Sequence, residues 1–284
     1  FRCPKTLKWR EFQNPLEVLV TWHVDQVCDL ICTVEKLVND KNLYAVGFVS
    51  YEASSAFNPK MITCKPSQFP LVCFAIFENY EILEQLGRPI STEKSTWRKS
   101  LSLERYIQNI VEIRNRIESG DIYQINYTTQ FTAKLNRPED FFKNFVSNEP
   151  YACFIDTDAF QILSASPELF FELDGEDIIT RPMKGTAPRF DSIKLDEDSR
   201  NQLSRSTKNR AENLMITDMM RNDLSKIAML GSVSVEDAFR IEKYSTVWQM
   251  TSTVKAKTCA SVLEIFNALF PCSSITGAPK LKSM

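Results

Sequence analysis

Glycine is scarce in this chain, and the scarcity limits the folds open to it. Only 7 of the 284 residues are glycine, whereas about 7% is usual. Phosphate-binding loops need glycines at fixed spacings, and neither the GxGxxG pattern nor the P-loop pattern occurs in the sequence. Both of these classes of nucleotide-binding protein are therefore excluded.

A single histidine, His23, excludes further mechanisms. Two-histidine metal sites, HExxH proteases and C2H2 fingers cannot be built from one histidine. A Ser-His-Asp triad would have to use His23, and no GxSxG motif accompanies it. The net charge of −2 argues against a nucleic-acid partner. The longest apolar run, residues 71–77, is too short to span a membrane.

The eight cysteines form no CxxC pair. Several lie inside apolar or amphipathic segments, which is typical of reduced thiols that pack as small apolar side chains. Such usage predicts a cytoplasmic protein, and a disulfide framework is the alternative. The chain begins at Phe1 without an initiator methionine and ends at Met284, where the pattern predicts a new helix, so we expect a trimmed chain.

Periodicity predicts runs of strands separated by runs of helices, which favours an α+β fold over alternating βαβ units. A polar stretch, 87–100, reads as a linker between an N-terminal portion (1–100) and a larger portion (101–284), both parts of one intertwined domain. The predicted helices are 25–37, 103–118, 207–227 and one opened by a capping box at 261–264; the predicted strands are 43–51, 70–77, 123–135 and several within 151–181.

Lys184 lies in the loop TRPMKGTAPR (180–189), which two prolines stiffen and in which Gly185 permits close backbone approach. A lysine near its ordinary pKa is protonated at neutral pH and is not a nucleophile. Burial or neighbouring cations would lower the pKa and activate the amine. The alternative is a solvated turn lysine.

Two carboxylates are further candidates. Glu168, in SASPELF, precedes the apolar residues 169–171, and such surroundings raise a carboxyl pKa and favour a general acid; the alternative is an exposed edge-strand glutamate. Glu212 and Asp223 are 11 residues apart on one predicted helix, hence about 16 Å apart along its axis. They cannot share a metal ion, so a Mg²⁺ site at Glu212 would take its second carboxylate from elsewhere. The alternative is a surface ion pair.

The segment SITGAPK (274–280) places Gly277 just before a proline that suits the first position of a helix. Free N–H groups at a helix start bind anions, here a carboxylate.

Five motifs in order, GDIYQIN (120–126), SASPELF, TRPMKGTAPR, the segment 208–224 and FPCSSITGAPK (270–280), resemble the chorismate-utilising enzymes. That resemblance implies an α+β fold with two face-to-face sheets and helices outside. It implies that Lys184 attacks chorismate while Glu168 protonates the departing hydroxyl. It also implies that Glu212 holds Mg²⁺, with substrate contacts from Gln124, Gly185, Thr186, Thr276, Gly277, Ala278 and Lys280.

Within the family, the residue before Gly-Thr in this loop is alanine in anthranilate synthases and lysine in aminodeoxychorismate synthases. Lys184 and the segment 47–59 resemble the second branch, which implies ammonia addition to chorismate and a glutamine amidotransferase partner. Residues 248–252 lack the histidine that anthranilate synthases carry there. The family also continues past SITGAPK, so the resemblance implies a C-terminally truncated chain. Isochorismate or salicylate synthesis, with the lysine as a general base, and a non-catalytic remnant are the alternatives.

Overall fold

The computed structural model describes residues 1–64, 69–90, 95–146 and 149–284. Contacts divide the chain into two compact units that alternate along the sequence. The first unit comprises Phe1–Arg10, Ile82–Pro167 and Ile275–Met284, and the second comprises Glu11–Glu81 and Glu168–Ser274. The predicted division at residue 100 stays a prediction.

Helices and strands are mixed throughout the described residues, which confirms the α+β class. The helices are α1 (Val27–Lys41), α2 (Ser54–Phe57), α3 (Leu103–Glu118), α4 (Pro138–Phe145), α5 (Ile193–Arg205), α6 (Thr207–Ser225), α7 (Val262–Leu269) and α8 (Lys280–Ser283), with 3₁₀ turns at Val24–Gln26 and Tyr51–Ala53. The strands are β1 (Trp9–Glu11), β2 (Glu17–Thr21), β3 (Tyr44–Val49), β4 (Val72–Phe77), β5 (Glu81–Leu83), β6 (Arg98–Lys99), β7 (Gln124–Ile125), β8 (Phe131–Thr132), β9 (Tyr151–Asp156), β10 (Gln161–Ser166), β11 (Leu169–Asp174), β12 (Asp177–Arg181), β13 (Met183–Pro188), β14 (Ser234–Lys243), β15 (Val247–Lys257) and β16 (Gly277–Ala278).

The second unit contains a five-stranded antiparallel sheet organised around β15. β15 pairs along one edge with β12 and then β13, and along the other edge with β14, while β11 extends the sheet from β12. α6 packs on this sheet through Ile216, Met220 and Leu224, which bury their side chains against α7 and strands β12 and β15. This burial of apolar side chains holds the sheet and the helix that carry the candidate site.

A three-stranded sheet of order β2-β4-β3 belongs to the same unit. α1 covers it with Val27 and Ile31, and α7 adds apolar side chains to that cluster as well as to the α6 cluster. The predicted capping box that opens α7 is confirmed: Glu264 N donates to Ser261 Oγ (3.3 Å), and Ser261 N donates to Glu264 Oε2 (2.8 Å). α7 therefore joins the two cores of this unit.

The first unit has a smaller core around Trp9, Phe142 and Ala152. α4 supplies Phe142, and the hairpin of β9 and β10 supplies Ala152. α3 has the predicted bounds, and β9 to β12 confirm the strands predicted within 151–181.

The strand predicted over 123–135 and the linker predicted over 87–100 can each be compared with the described residues. The strand predicted over 123–135 is wrong for most of its length, because only β7 and β8 are strands and each pairs with a two-residue partner, β16 and β6 respectively. Tyr123 and Phe131 are exposed, so the alternation there does not mark one buried face. Of the predicted linker 87–100, residues 91–94 lie outside the described residues, and β6 falls in its described part. The eight cysteines are thiols, as predicted.

No helix in the described parts of the chain is long and apolar enough to cross a membrane.

Candidate active site

Lys184 lies on an irregularity of the five-stranded sheet. Met183 pairs with Thr251 and Thr186 pairs with Gln249, so Lys184 and Gly185 together lie opposite Met250 alone. Two residues opposite one make a β-bulge, a device that redirects side chains beside active sites. Gly185 has φ +99°, and a Cβ there would lie 3.0 Å from Cβ of Asn209 on α6. Glycine is thus required for the bulge to pack against α6.

Glu168 immediately precedes β11 and is bonded to the segment that follows α7. Ser274 Oγ donates to Glu168 Oε1 at 2.6 Å, and Ser274 is itself buried. Burial raises the pKa of the Glu168 carboxyl, while the Ser274 hydrogen bond and the Lys184 charge oppose that rise. On balance the pKa of Glu168 is raised, so its carboxyl group keeps its proton to a higher pH than an ordinary glutamic acid does.

Burial also lowers the pKa of the Lys184 amine, and the negative charges of Glu168 and Glu212 partly oppose this. The two shifts are complementary, because one favours a neutral amine and the other a protonated carboxyl. A neutral amine is a nucleophile or a base, and a protonated carboxyl is a general acid. Both residues are half-buried, and Lys184 lies in β13, which does not fit a solvated turn lysine or an exposed edge-strand glutamate.

α6 brings Glu212 to this site. Its side chain is 38% exposed, and Lys208 Nζ lies 3.9 Å from Glu212 Oε1. That loose ion pair leaves the carboxylate accessible. Among the described residues, no group of three or more His, Cys, Asp or Glu side chains is arranged to hold a metal ion.

Thr186 follows the bulge and is exposed. Its Oγ1 donates to Oε1 of Gln249 across the β13–β15 pair at 2.8 Å. Gln249 carries an uncharged amide and lies in the stretch 248–252, which contains no histidine.

The remaining sequence-predicted residues lie in the first unit. Gln124 and Ile125 pair with Ala278 and Gly277, and Asn126 N donates to Thr276 O at 2.8 Å. A Cβ on Gly277 would lie 2.4 Å from Gln124 O, so the two short strands approach too closely for any other residue. None of the described residues donates a hydrogen bond to the buried Oε1 atom of Gln124, so this atom is able to accept one from a ligand.

The predicted helix start in SITGAPK is wrong by one position. Pro279 is the residue before the helix, not its first residue, and α8 has only four residues, Lys280–Ser283. Gly277 and Ala278 are in a strand instead, because they pair with β7. The predicted anion site at a helix N-terminus is therefore wrong, because Gly277 and Ala278 lie in a strand and α8 is a single turn.

Two residues of the site were missed in the sequence. Ser274 orients Glu168, and Asn213 donates to the Lys184 carbonyl at 3.3 Å. Both belong to motifs already singled out, and their one visible signal is a polar residue inside such a motif.

Lys184 and Glu168 interact electrostatically and both have shifted pKa values, an arrangement that marks a candidate active site on this sheet. Residues 83–284 match the model of the family described as chorismate binding enzyme. The chain belongs to that family.

Curated relatives share substantial identity with the chain. It is 41% identical over 210 residues to aminodeoxychorismate synthase component 1 of Klebsiella aerogenes, a match that covers 71% of this chain and 47% of that protein. The protein of the same name from Escherichia coli (strain K12) is 37% identical over 198 residues, covering 68% and 44%. The match to aminodeoxychorismate synthase component 1 of Bacillus subtilis (strain 168) is 36% over 184 residues, covering 63% and 39%. The chain spans about half the length of the relatives it matches most strongly.

Solved structures share the fold. Anthranilate synthase component I from Streptococcus pneumoniae TIGR4 superposes with a TM-score of 0.78 at 19% identity, covering 97% of this chain and 75% of that chain. The menaquinone-specific isochorismate synthase from Escherichia coli superposes with a TM-score of 0.60 at 12% identity, covering 95% and 67%.

Proposed function

We propose that this chain is the chorismate-aminating part of an aminodeoxychorismate synthase. The observation that carries the proposal is the Lys184–Glu168 pair, in which burial favours a neutral amine beside a protonated carboxyl. Relatives of that name, 36–41% identical to the chain, support the choice of reaction within the family.

In the proposed reaction Lys184 Nζ attacks C2 of chorismate, and the ring double bonds shift toward C4. The C4 hydroxyl leaves as water with the proton that Glu168 supplies, which leaves a lysine-bound intermediate and a Glu168 carboxylate. Ammonia then adds at C4, the double bonds shift back and the Lys184 amine leaves C2. The proton lost by the added ammonia returns to Glu168, and the product is 4-amino-4-deoxychorismate. The covalent step divides one difficult displacement into two easier ones.

Glu212 fits Mg²⁺ as a single carboxylate ligand, because its side chain is accessible and held only by a loose ion pair. We propose that the other ligands are substrate carboxylate oxygens and water, as is usual for this ion. When bound, Mg²⁺ would neutralise the substrate carboxylate that Glu212 faces. The backbone of Gly185 and Thr186 would contact the same substrate, and we assign Gln124, Thr276, Gly277, Ala278 and Lys280 to substrate contacts as well.

The ammonia source belongs to the same proposal. The relatives are named component 1, which supports a second component, and we propose a glutamine amidotransferase. Reduced cysteines support a cytoplasmic location.

Intact mass spectrometry tests the covalent step. The chain is incubated with chorismate and Mg²⁺ without ammonia, and we expect an adduct of chorismate less one water on Lys184. Lys184→Ala should abolish the adduct. Lys255→Ala, which removes an exposed lysine paired with Glu236 on β14, should leave it unchanged. Absence of any adduct on Lys184 in the wild-type chain would count against covalent catalysis.

Product analysis separates the alternatives. With chorismate, Mg²⁺ and ammonium supplied, an aminated product supports the proposal. A hydroxylated product would instead assign Lys184 the role of a base that activates water, as in isochorismate synthesis. Chorismate binding without turnover in a chain extended to the length of its relatives would identify a non-catalytic binding protein.

A further inference from the structure

Asn213 is the residue of α6 that meets the Lys184 bulge. It is 1% exposed, and its amide nitrogen donates to Lys184 O at 3.3 Å and to Met250 O at 3.2 Å. These carbonyls belong to the two strands at the point where their register shifts. Both donors of the amide are thus spent on the bulge, one on each strand.

The oxygen of the same amide faces a second irregularity of the sheet. Glu236 pairs with Thr253 and Arg240 with Thr251, so three residues of β14 lie opposite Ser252 alone. Ser252 Oγ donates to Asn213 Oδ1 at 2.5 Å and accepts from Phe239 N, in that irregular segment, at 3.2 Å. Thr217 Oγ1 also lies 3.4 Å from Asn213 Oδ1. The Thr217 hydroxyl donates to the backbone carbonyl of Asn213 at 2.7 Å, so Ser252 is the close donor to Oδ1, and both the nitrogen and the oxygen of the amide are hydrogen-bonded.

An apolar side chain at this position would remove a hydrogen bond from the carbonyls of Lys184 and Met250 and the acceptor of the buried Ser252 hydroxyl, which is costly. No other residue type combines two donors and an acceptor in so short a side chain. The asparagine also fixes α6 against the strand that bears the lysine. Its neighbour in sequence, Glu212, carries one of the charges that act on Lys184.

We propose that Asn213 is a positioning residue. Its amide holds the bulged backbone of Lys184 in β13 and, through Ser252, the irregular segment of β14. The inference rests on the proposed function for the importance of Lys184, but not for the geometry. Removing the amide should let the bulge relax, so that Lys184 becomes more hydrated. The groups facing the amine, Glu168, Glu212 and Cys272, stay the same in such a variant.

Asn213→Leu tests the proposal, because it keeps the number and branching of the side-chain heavy atoms and removes every side-chain hydrogen bond. Two measurements are made on the full chain: hydrogen exchange of the peptide 183–187, and the pH midpoint of Lys184 acetylation by trace acetic anhydride, read by peptide mapping. We expect exchange to accelerate by about fivefold, the factor given by one lost hydrogen bond of about 1 kcal/mol. The acetylation midpoint should move upward, toward that of an ordinary lysine.

Thr258→Val is the matched control. Thr258 is also buried, and its Oγ1 donates to Ile227 O at 2.6 Å, away from the bulge. Both variants should melt earlier than the wild type, but only Asn213→Leu should change the two Lys184 measurements. If Asn213→Leu does not fold, Ser252→Ala replaces it, and a smaller change of the same sign is expected.

An Asn213 variant that melts earlier while both Lys184 measurements match those of Thr258→Val would overturn the proposal. Failure of the proposed function is a separate result, because acetic anhydride labels any neutral amine. If the wild-type chain gives no chorismate adduct, the exchange and acetylation results still decide whether Asn213 positions the Lys184 bulge.

Discussion

The two longest helices of the described chain, α3 and α6, differ in which of their residues are buried. α3 has a regular apolar stripe, yet none of its residues is buried, and Leu103, Ile107 and Val111 are more than half exposed. α6 has a weaker apolar pattern, yet it buries six residues, three of them polar: Asn213, Ile216, Thr217, Met220, Asp223 and Leu224.

The polar residues explain the difference. Asn213 bonds the Lys184 segment, and Asp223 Oδ2 accepts from Ser273 Oγ at 3.2 Å, next to the serine that orients Glu168. α6 thus bonds the segment that carries the candidate nucleophile and the segment whose Ser274 bonds the candidate acid. A helix that positions chemistry gives up apolar regularity on its buried face, so amphipathic pattern alone does not identify the helix that matters for function.

The comparison predicts its largest effect for apolar truncation. Ile216→Ala on α6 should lower the free energy of unfolding by about 2–5 kcal/mol, since Ile216 is fully buried. Ile107→Ala on α3 should change it by no more than about 0.5 kcal/mol, since its side chain is 53% exposed. Urea denaturation of both variants measures the difference. Similar losses would mean that the apolar stripe of α3 is covered in solution.

The caps of the two helices sharpen the comparison. Ser102 Oγ accepts from Arg105 N at 3.2 Å, and Ser206 Oγ accepts from Asn209 N at 3.3 Å. Replacing either serine with alanine should cost about 1 kcal/mol. Only Ser206→Ala should also speed hydrogen exchange of the peptide 183–187, because Asn209 packs against Gly185. Equal exchange in the two variants would show that the first turn of α6 does not support the bulge.

Elements encoded by local periodicity were predictable from the sequence. α3 has the predicted bounds, and α6 differs only at its C-terminal end, because helical spacing and caps are local signals. The predicted strand over 123–135 failed for a reason that local pattern does not contain: a strand needs a partner, and the partners here are two residues long.

The candidate site divides in the same way. Lys184, Glu168 and Glu212 stand in motifs, so the sequence predicts them. Their supports do not, because Ser274 is 106 residues from Glu168 and Asn213 is 29 residues from Lys184. Those contacts depend on how the bulge of β13 shifts its pairing with β15. The register between two strands separated by a long connection cannot be read from either strand alone.

The smallest expected effect is on the protonation of Lys184. It is tested by removing one carboxylate from each helix. Burial lowers the pKa of the Lys184 amine, and Glu212 on α6 partly opposes that shift after Glu168. Glu212→Gln removes a negative charge that stabilises the ammonium form, so the pH midpoint of Lys184 acetylation should fall.

The fall should be smaller than that caused by Glu168→Gln, because Glu212 is the weaker opposing charge and its side chain is 38% exposed to solvent that screens it. Glu112→Gln on α3, which removes an equal charge from an exposed pair with Arg116, should leave the midpoint unchanged. The measurement is made in chelator, so that no divalent ion alters the charge at Glu212. A midpoint that moves equally in the Glu212 and Glu112 variants would mean that net charge, and not the place of α6 beside the lysine, controls the protonation of Lys184.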